Sequence, residues 1–137
     1  MKKLYLVIAL LLVALALPAL AAVDTLTVVT ISLDGETATL SAAADDSNYV
    51  ANNGKTWIQV ANTNASPCTV TVYSKVATWQ SLPEGVAASN LTVIVPATTG
   101  NKIIGPFNPR AWNTTTGYLL FKCSSITNVT VGAFRLP

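Results

Sequence analysis

Apolar and polar residues alternate along most of this chain in short runs, and turn residues separate each run from the next. A period of two is typical of β-strands, because successive side chains point to opposite faces of a sheet. No run has convincing helix spacing. The runs are TLTVVTISL, ETATLSA, KTWIQVAN, CTVTVYS, LTVIVPA, NKIIGPF, GYLLFKCSS and NVTVGAFRL. Their spacing indicates a sandwich or barrel, and we predict an all-β fold: a single antiparallel β-sandwich, jelly-roll-like, with about eight short strands.

Turn residues predict how some of these runs are connected. Asp34-Gly35 predicts a hairpin between the first two runs, because both positions of such a turn need a positive φ. Residues 43–54 are mostly polar, and we predict that they form a connection between strands. Residues 74–90 have neither strand nor helix periodicity. The triplet GPF predicts the end of a strand, with Phe107 folded over the open end of the core.

The start of the chain has a composition that recurs nowhere else in it. Lys2 and Lys3 give a cationic beginning, residues 4–17 are apolar, and Pro18 ends the apolar run just before small residues. A positive start, an apolar run and small residues in this order are typical of a secretion signal.

This signal sets the predicted boundaries of the protein. It covers residues 1–21, with cleavage between Ala21 and Ala22, and it leaves a single β-sandwich domain over residues 22–137. An uncleaved anchor is the alternative, because residues 4–23 have about the length that spans a bilayer. If the signal is cleaved, we expect an extracellular, secreted protein with no membrane contact.

Removal of the signal leaves a domain with no net charge. The whole chain has eight Lys and Arg against six Asp and Glu, so without Lys2 and Lys3 the count is six against six. Such a surface lacks the basic face with which proteins neutralise nucleic-acid phosphates, and it has no electrostatic attraction to anionic lipid. We therefore expect no nucleic-acid partner, and contacts with copies of the same chain or with other structural subunits.

The two cysteines are predicted to point inward. Cys68 shares its strand face with two valines of CTVTVYS, and Cys123 shares its face with a leucine and the phenylalanine of GYLLFKCSS. In a secreted protein an even number of cysteines indicates a disulfide. A Cys68–Cys123 bond would close a loop of roughly 55 residues and stabilise the fold by roughly 4 kcal/mol. The alternative is two buried thiols that act as small apolar side chains.

Part of the sequence is similar to a known family. The segments NGKTWIQVAN, SPCTVTV, LTVIVPATTGNKIIGPFNP and TGYLLFKCSSITNVTVGAFRL resemble small β-sandwich proteins encoded among the virion structural genes of tailed bacteriophages. The resemblance covers residues 50–136. Its most specific feature is the order of a VPA turn, a short strand that ends in Gly-Pro-Phe, and a closing Val-Thr-Val strand. It implies a capsid decoration or head-associated structural subunit, and no catalytic motif accompanies it.

Few residues in the chain can carry chemistry. There is no histidine, which excludes the Ser-His-acid triad and the commonest metal ligand. Two inward cysteines do not make a zinc site, and no glycine-rich phosphate loop occurs. Asp45-Asp46 are a candidate for a weak calcium site, although a solvated loop is the simpler interpretation. We therefore predict no catalytic residues, no cofactor and no metal site.

Aromatic residues and sequons are the remaining candidates for surface function. Trp57, Trp79 and Trp112 are a candidate sugar-stacking platform, but aromatic residues of small β domains more often anchor the core or an interface. Three asparagines head Asn-x-Ser/Thr sequons and are candidate glycosylation sites in a host that modifies such sites: Asn90, Asn113 and Asn128.

Two structural functions fit these features. The resemblance implies a virion protein, a capsid decoration or head-associated subunit. The signal, the neutral charge and the disulfide candidate favour instead a secreted cell-surface or extracellular filament subunit that assembles through β-strand contacts. In that case the strand that follows Ala22 pairs with an exposed sheet edge of the next subunit or, more simply, within its own sheet.

Overall fold

The computed structural model describes residues 23–44, 47–75 and 89–137. Strands make up 49% of this part of the chain and helix 4%, so the predicted all-β class is confirmed. The strands, more numerous than predicted, are β1 (Val23–Leu26), β2 (Val28–Thr30), β3 (Ser41–Ala42), β4 (Ser47–Ala51), β5 (Thr56–Asn62), β6 (Cys68–Val72), β7 (Leu91–Val95), β8 (Gly100–Ile104), β9 (Tyr118–Cys123) and β10 (Val129–Arg135). A short helix, α1 (Pro109–Trp112), lies between β8 and β9.

The strands form two mixed sheets. Sheet 1 has the order β1-β4-β9-β6-β7, and sheet 2 has the order β2-β10-β5-β8, with β3 also paired to β10. Most neighbours are antiparallel, but β1 is parallel to β4 and β2 is parallel to β10. The prediction of a purely antiparallel arrangement is therefore wrong at the N-terminal strands. The alternation of side chains is the same in both kinds of sheet, so it carries no information about strand direction.

The first predicted run is divided between the two sheets. β1 belongs to sheet 1 and β2 to sheet 2, and only Thr27 separates them. The predicted hairpin at Asp34-Gly35 is also wrong. A turn does form there, in which the Gly35 N–H donates to Ser32 O at 3.2 Å, but β2 and β3 do not pair with each other. Both strands pair with β10 instead.

Residues 43–54, predicted as a polar connection, contain the strand β4. Asn48 and Val50 are buried on the inner face of this strand. The asparagine interrupts the apolar pattern from which strands are predicted. Its Oδ1 accepts a hydrogen bond from the Ala44 N–H at 3.0 Å, which offsets part of the cost of burying an amide.

Side chains from both sheets share one apolar core. Its largest members include Phe121 and Leu119 of β9 in sheet 1 and Ile58 of β5 in sheet 2. Along β5, buried and half-buried residues alternate, and Ile58 and Val60 are on the buried side. The core therefore joins the two sheets into one unit.

The core is closed after β8 by the predicted Gly-Pro-Phe stop. β8 ends at Ile104, and Phe107 is buried in the core cluster. The Phe107 ring packs edge-on against Trp112 of α1, with 6.0 Å between ring centroids. The Asn108 side chain caps α1 by accepting from the Arg110 N–H at 3.0 Å. The sequence analysis did not predict α1, because one helical turn is too short to produce a helical period.

No helix in the described ranges is long and apolar enough to cross a membrane.

Residues 31–40 cross the outer face of sheet 2 on their way from β2 to β3. The segment comes close to the sheet at Gly132 of β10, where a Cβ atom would lie 2.6 Å from Leu40 Cδ2 and 2.9 Å from Thr39 O. A glycine inside a strand often marks such a close approach of another backbone. The crossing segment is therefore packed directly on the sheet at this point.

Candidate assembly surface

Two strand edges lie open on one side of the described fold. β7 ends sheet 1, β8 ends sheet 2, and residues 96–99 join them, so we call this surface the β7–β8 edge. Three large aliphatic side chains on it are exposed: Leu91 at 36%, Ile94 at 63% and Ile103 at 68%. The free N–H and C=O groups of an edge strand are a template for pairing with another chain. Apolar side chains beside such groups favour a protein partner.

The turn between β7 and β8 is held by the buried side chain of Asn62, at the end of β5. Asn62 Nδ2 donates to Ser66 O and Pro96 O at 3.0 Å and to Val95 O at 3.3 Å. Its Oδ1 accepts from the Asn64 N–H at 2.9 Å. These bonds tie the end of β7 to a strand of the other sheet. The sequence analysis did not identify this role of Asn62, which is the last residue of the run KTWIQVAN.

The N-terminal strands lie at the opposite edges of the two sheets. β1 ends sheet 1, and β2 pairs with β10 in sheet 2. Leu26 is buried, and Val28 packs against the core. In this structure the N-terminal strands therefore pair within their own chain, the simpler of the two predicted arrangements.

Cys68 and Cys123 are buried on adjacent strands of sheet 1, as strand phase predicts. Both are free thiols, so the predicted disulfide is not present in the structure. Val70 is the residue opposite Cys123, which makes the two cysteines diagonal neighbours. Diagonal positions lie about 7–8 Å apart, at or beyond the Cα separation that a disulfide bridges without backbone movement.

The environment of Cys123 suppresses the reactivity of its thiol. The pKa of Cys123 is raised to about 12, mainly because the thiol is buried and secondly because Cys68 lies beside it. Cys68 Sγ donates to Ser125 O at 3.6 Å. Because the thiolate is the reactive form, Cys123 is inert near neutral pH. The structure therefore has the alternative state, two buried thiols that act as apolar side chains.

The three sequon asparagines have different surroundings. Asn90 and Asn128 are exposed. Asn113 is partly buried, and its Nδ2 donates to Asn52 O at 2.8 Å and to Gly117 O at 3.1 Å. An N-linked glycan is attached through this nitrogen, so modification of Asn113 would break at least one of these bonds.

Asn113 belongs to a hydrogen-bonded pair that connects two loops. Asn52 Nδ2 donates to Asn113 Oδ1 at 2.6 Å and to Phe107 O at 3.0 Å. Asn52 Oδ1 accepts from the Gly54 N–H at 3.0 Å. The pair fixes the loop after β4 against the segment that surrounds α1, and this arrangement gives Asn113 a structural role.

The tryptophans in the described ranges have separate roles. Trp57 lies on the outer face of sheet 2 and stacks with Phe134, with 6.5 Å between centroids and an interplanar angle of 27°. An apolar groove of about 210 Å³ lies beside it. Trp112 instead packs against the core. Trp79, the third candidate for a sugar-stacking platform, lies outside the described residues.

The described ranges contain no group of three or more His, Cys, Asp or Glu residues that could hold a metal ion. The candidate calcium residues Asp45 and Asp46, the signal segment and the cleavage site between Ala21 and Ala22 lie outside the described residues. Comparisons with family models, curated proteins and solved structures find no match. We therefore infer function from the surface of the fold.

Proposed function

We propose that this protein is a non-enzymatic structural subunit, a jelly-roll-like β-sandwich that assembles through contacts between β-strands. The core shared by the two sheets supports the sandwich architecture, because sheets that pack face to face bury their inner sides against each other. The partners are copies of the same chain or other structural subunits.

The observation that carries this proposal is the β7–β8 edge. Soluble proteins commonly protect sheet edges with lysine, proline, bulges or a covering loop. β7 has the sequence LTVIV and β8 the sequence GNKII, so Lys102 is the one charged residue in the two strands. Ile94 and Ile103 are each more than half exposed. An edge of this composition suits contact with another subunit.

The first setting that we propose is a virion, in which the subunit decorates a capsid or is associated with the head. The similarity of residues 50–136 to tailed-phage structural proteins supports it. The alternative is a secreted cell-surface or extracellular filament subunit, and the predicted signal over residues 1–21 supports that setting.

N-terminal sequencing of the native protein distinguishes the two settings. A start at Met1 in purified particles supports the virion and contradicts secretion. A start at Ala22 in culture medium supports the secreted subunit and counts against head assembly in the cytoplasm.

The structural role is tested by molar mass and by fractionation. The full chain is expressed, its processed form is identified by mass spectrometry, and its molar mass is measured by light scattering from micromolar to millimolar concentration. We expect either self-association that grows with concentration or co-sedimentation with particles or cell surfaces. A protein that is monomeric throughout and sediments with neither contradicts the proposal.

A further inference from the structure

We propose that β7 pairs with β7 of a second copy of the chain, antiparallel and about a two-fold axis. Sheet 1 of one protomer then continues into sheet 1 of the other. The inference rests on the proposed structural role and names the edge through which two subunits meet.

No strand of the described ranges pairs with the outer edge of β7. Its other edge pairs with β6, from Leu91 opposite Val72 to Val95 opposite Cys68. Apart from the bonds to β6, β7 makes one further hydrogen bond within the described ranges: Asn62 Nδ2 donates to Val95 O. In an antiparallel pair, half of the backbone groups of each strand point away from its partner. β7 therefore presents donors and acceptors for another strand.

The side chains of β7 complement those of a second β7. Full antiparallel overlap of this five-residue strand with its copy places Val93 opposite Val93, Thr92 opposite Ile94, and Leu91 opposite Val95. On the outer face, each exposed Ile94 gains contact with a threonine of the other protomer. On the inner face, the exposed Leu91 and the half-buried Val93 gain apolar neighbours. Cross-strand pairs of β-branched and aliphatic residues stabilise antiparallel sheets.

Charge favours β7 over two other edge strands for symmetric pairing. β7 has no charged residue, so two copies bring no like charges together. β8 has Lys102 and β1 has Asp24, and a symmetric pair of either strand would bring two like charges close. A contact of β7 with β1 of another copy would be head-to-tail and would produce an open chain or a ring of subunits.

Single cysteines on β7 of the full chain test the pairing under mild oxidation. Val93→Cys lies on the symmetry axis, where opposite Cβ atoms are about 4.5–5.5 Å apart, and we expect a reducible dimer on a non-reducing gel. Thr92→Cys is the matched control and is expected to stay uncross-linked, because it faces Ile94. The double variant Thr92→Cys/Ile94→Cys is expected to cross-link again. The unaltered chain controls for the buried Cys68 and Cys123.

Molar-mass measurements complete the test. Ile94→Lys is expected to convert the dimer to a monomer, because it places two charges beside the shared edge. Leu136→Lys changes another exposed aliphatic residue, outside β7, and is expected to leave the dimer intact.

The outcomes separate this inference from the proposed function. An unaltered chain that self-associates while Val93→Cys gives no cross-link overturns the β7 pairing and leaves the structural role standing. Cross-linking of Thr92→Cys alone, or open assemblies larger than a dimer, also overturns the symmetric pairing. A chain that is monomeric at every concentration and sediments with neither particles nor cell surfaces overturns both proposals.

Discussion

At the scale of single residues, burial alters the titration of Cys123. Its pKa is raised from an ordinary value of 9.0 to about 12, first by burial and then by Cys68. Over that interval the folded chain keeps a proton that the unfolded chain releases. The stability due to the buried thiol is therefore fully present below pH 9 and is lost as the pH rises toward 12.

This loss of stability at high pH can be measured. The urea midpoint of the unaltered protein is expected to fall more steeply above pH 9 than that of Cys123→Ala. Ionisable residues away from Cys123 are common to both proteins, so their contributions cancel in the comparison. Parallel pH profiles for the two proteins would show that Cys123 titrates normally in the folded state.

The side chain of Asn113 provides a second test. Asn113→Ala removes the side-chain donor to Asn52 O, one of the two donors to Gly117 O, and the oxygen that accepts from Asn52 Nδ2. We therefore expect the free energy of unfolding to fall by about 1–3 kcal/mol in urea denaturation. Asn101→Ala is the matched control, because Asn101 is exposed and accepts one surface bond from Gln59. Its expected change is within about 0.5 kcal/mol. Equal losses in the two variants would contradict a structural role for Asn113.

For the strands, the packing of the 31–40 segment on β10 is open to a direct test. Gly132→Ala places a Cβ atom against Leu40 and the Thr39 carbonyl oxygen, and we expect it to lower the free energy of unfolding by about 1–3 kcal/mol. Leu40→Ala removes one of the two colliding groups. The double variant is therefore expected to lose less than the sum of the single losses. Additive losses, measured by urea denaturation, would show that the segment does not pack on Gly132.

Strands were predictable where a regular pattern of side chains coincides with one buried face. β5, β6, β9 and β10 were found in this way, because inward apolar residues alternate along most of their length. β4 was missed because Asn48 takes an inward position. The change of sheet at Thr27 was missed because the residues of β1 and β2 form one continuous run in the sequence. Neither the buried amide nor the change of sheet has a local sequence signal.

For the domain, the candidate surface was predictable only in part. The sequence predicts β7 and β8 as strands, but their place at the ends of the sheets depends on pairings between distant residues. Ile103 lies opposite Gln59, and Val95 lies opposite Cys68. Isoleucine is typical of a core, but Ile94 is exposed because it lies opposite Thr69, on the outer face of sheet 1. Local periodicity cannot distinguish an edge strand from a central one.

The shared core also predicts how the domain unfolds. Phe121→Ala in sheet 1 and Ile58→Ala in sheet 2 are each expected to lower the free energy of unfolding by about 2–5 kcal/mol, because both side chains are fully buried. Since the two sheets bury a common core, each variant is expected to shift one cooperative transition, with tryptophan fluorescence and far-UV circular dichroism changing together. Leu136→Ala, at an exposed position, is expected to change stability by less than about 0.5 kcal/mol. Separate transitions for the two probes would show that the sheets unfold independently, and would contradict the sandwich.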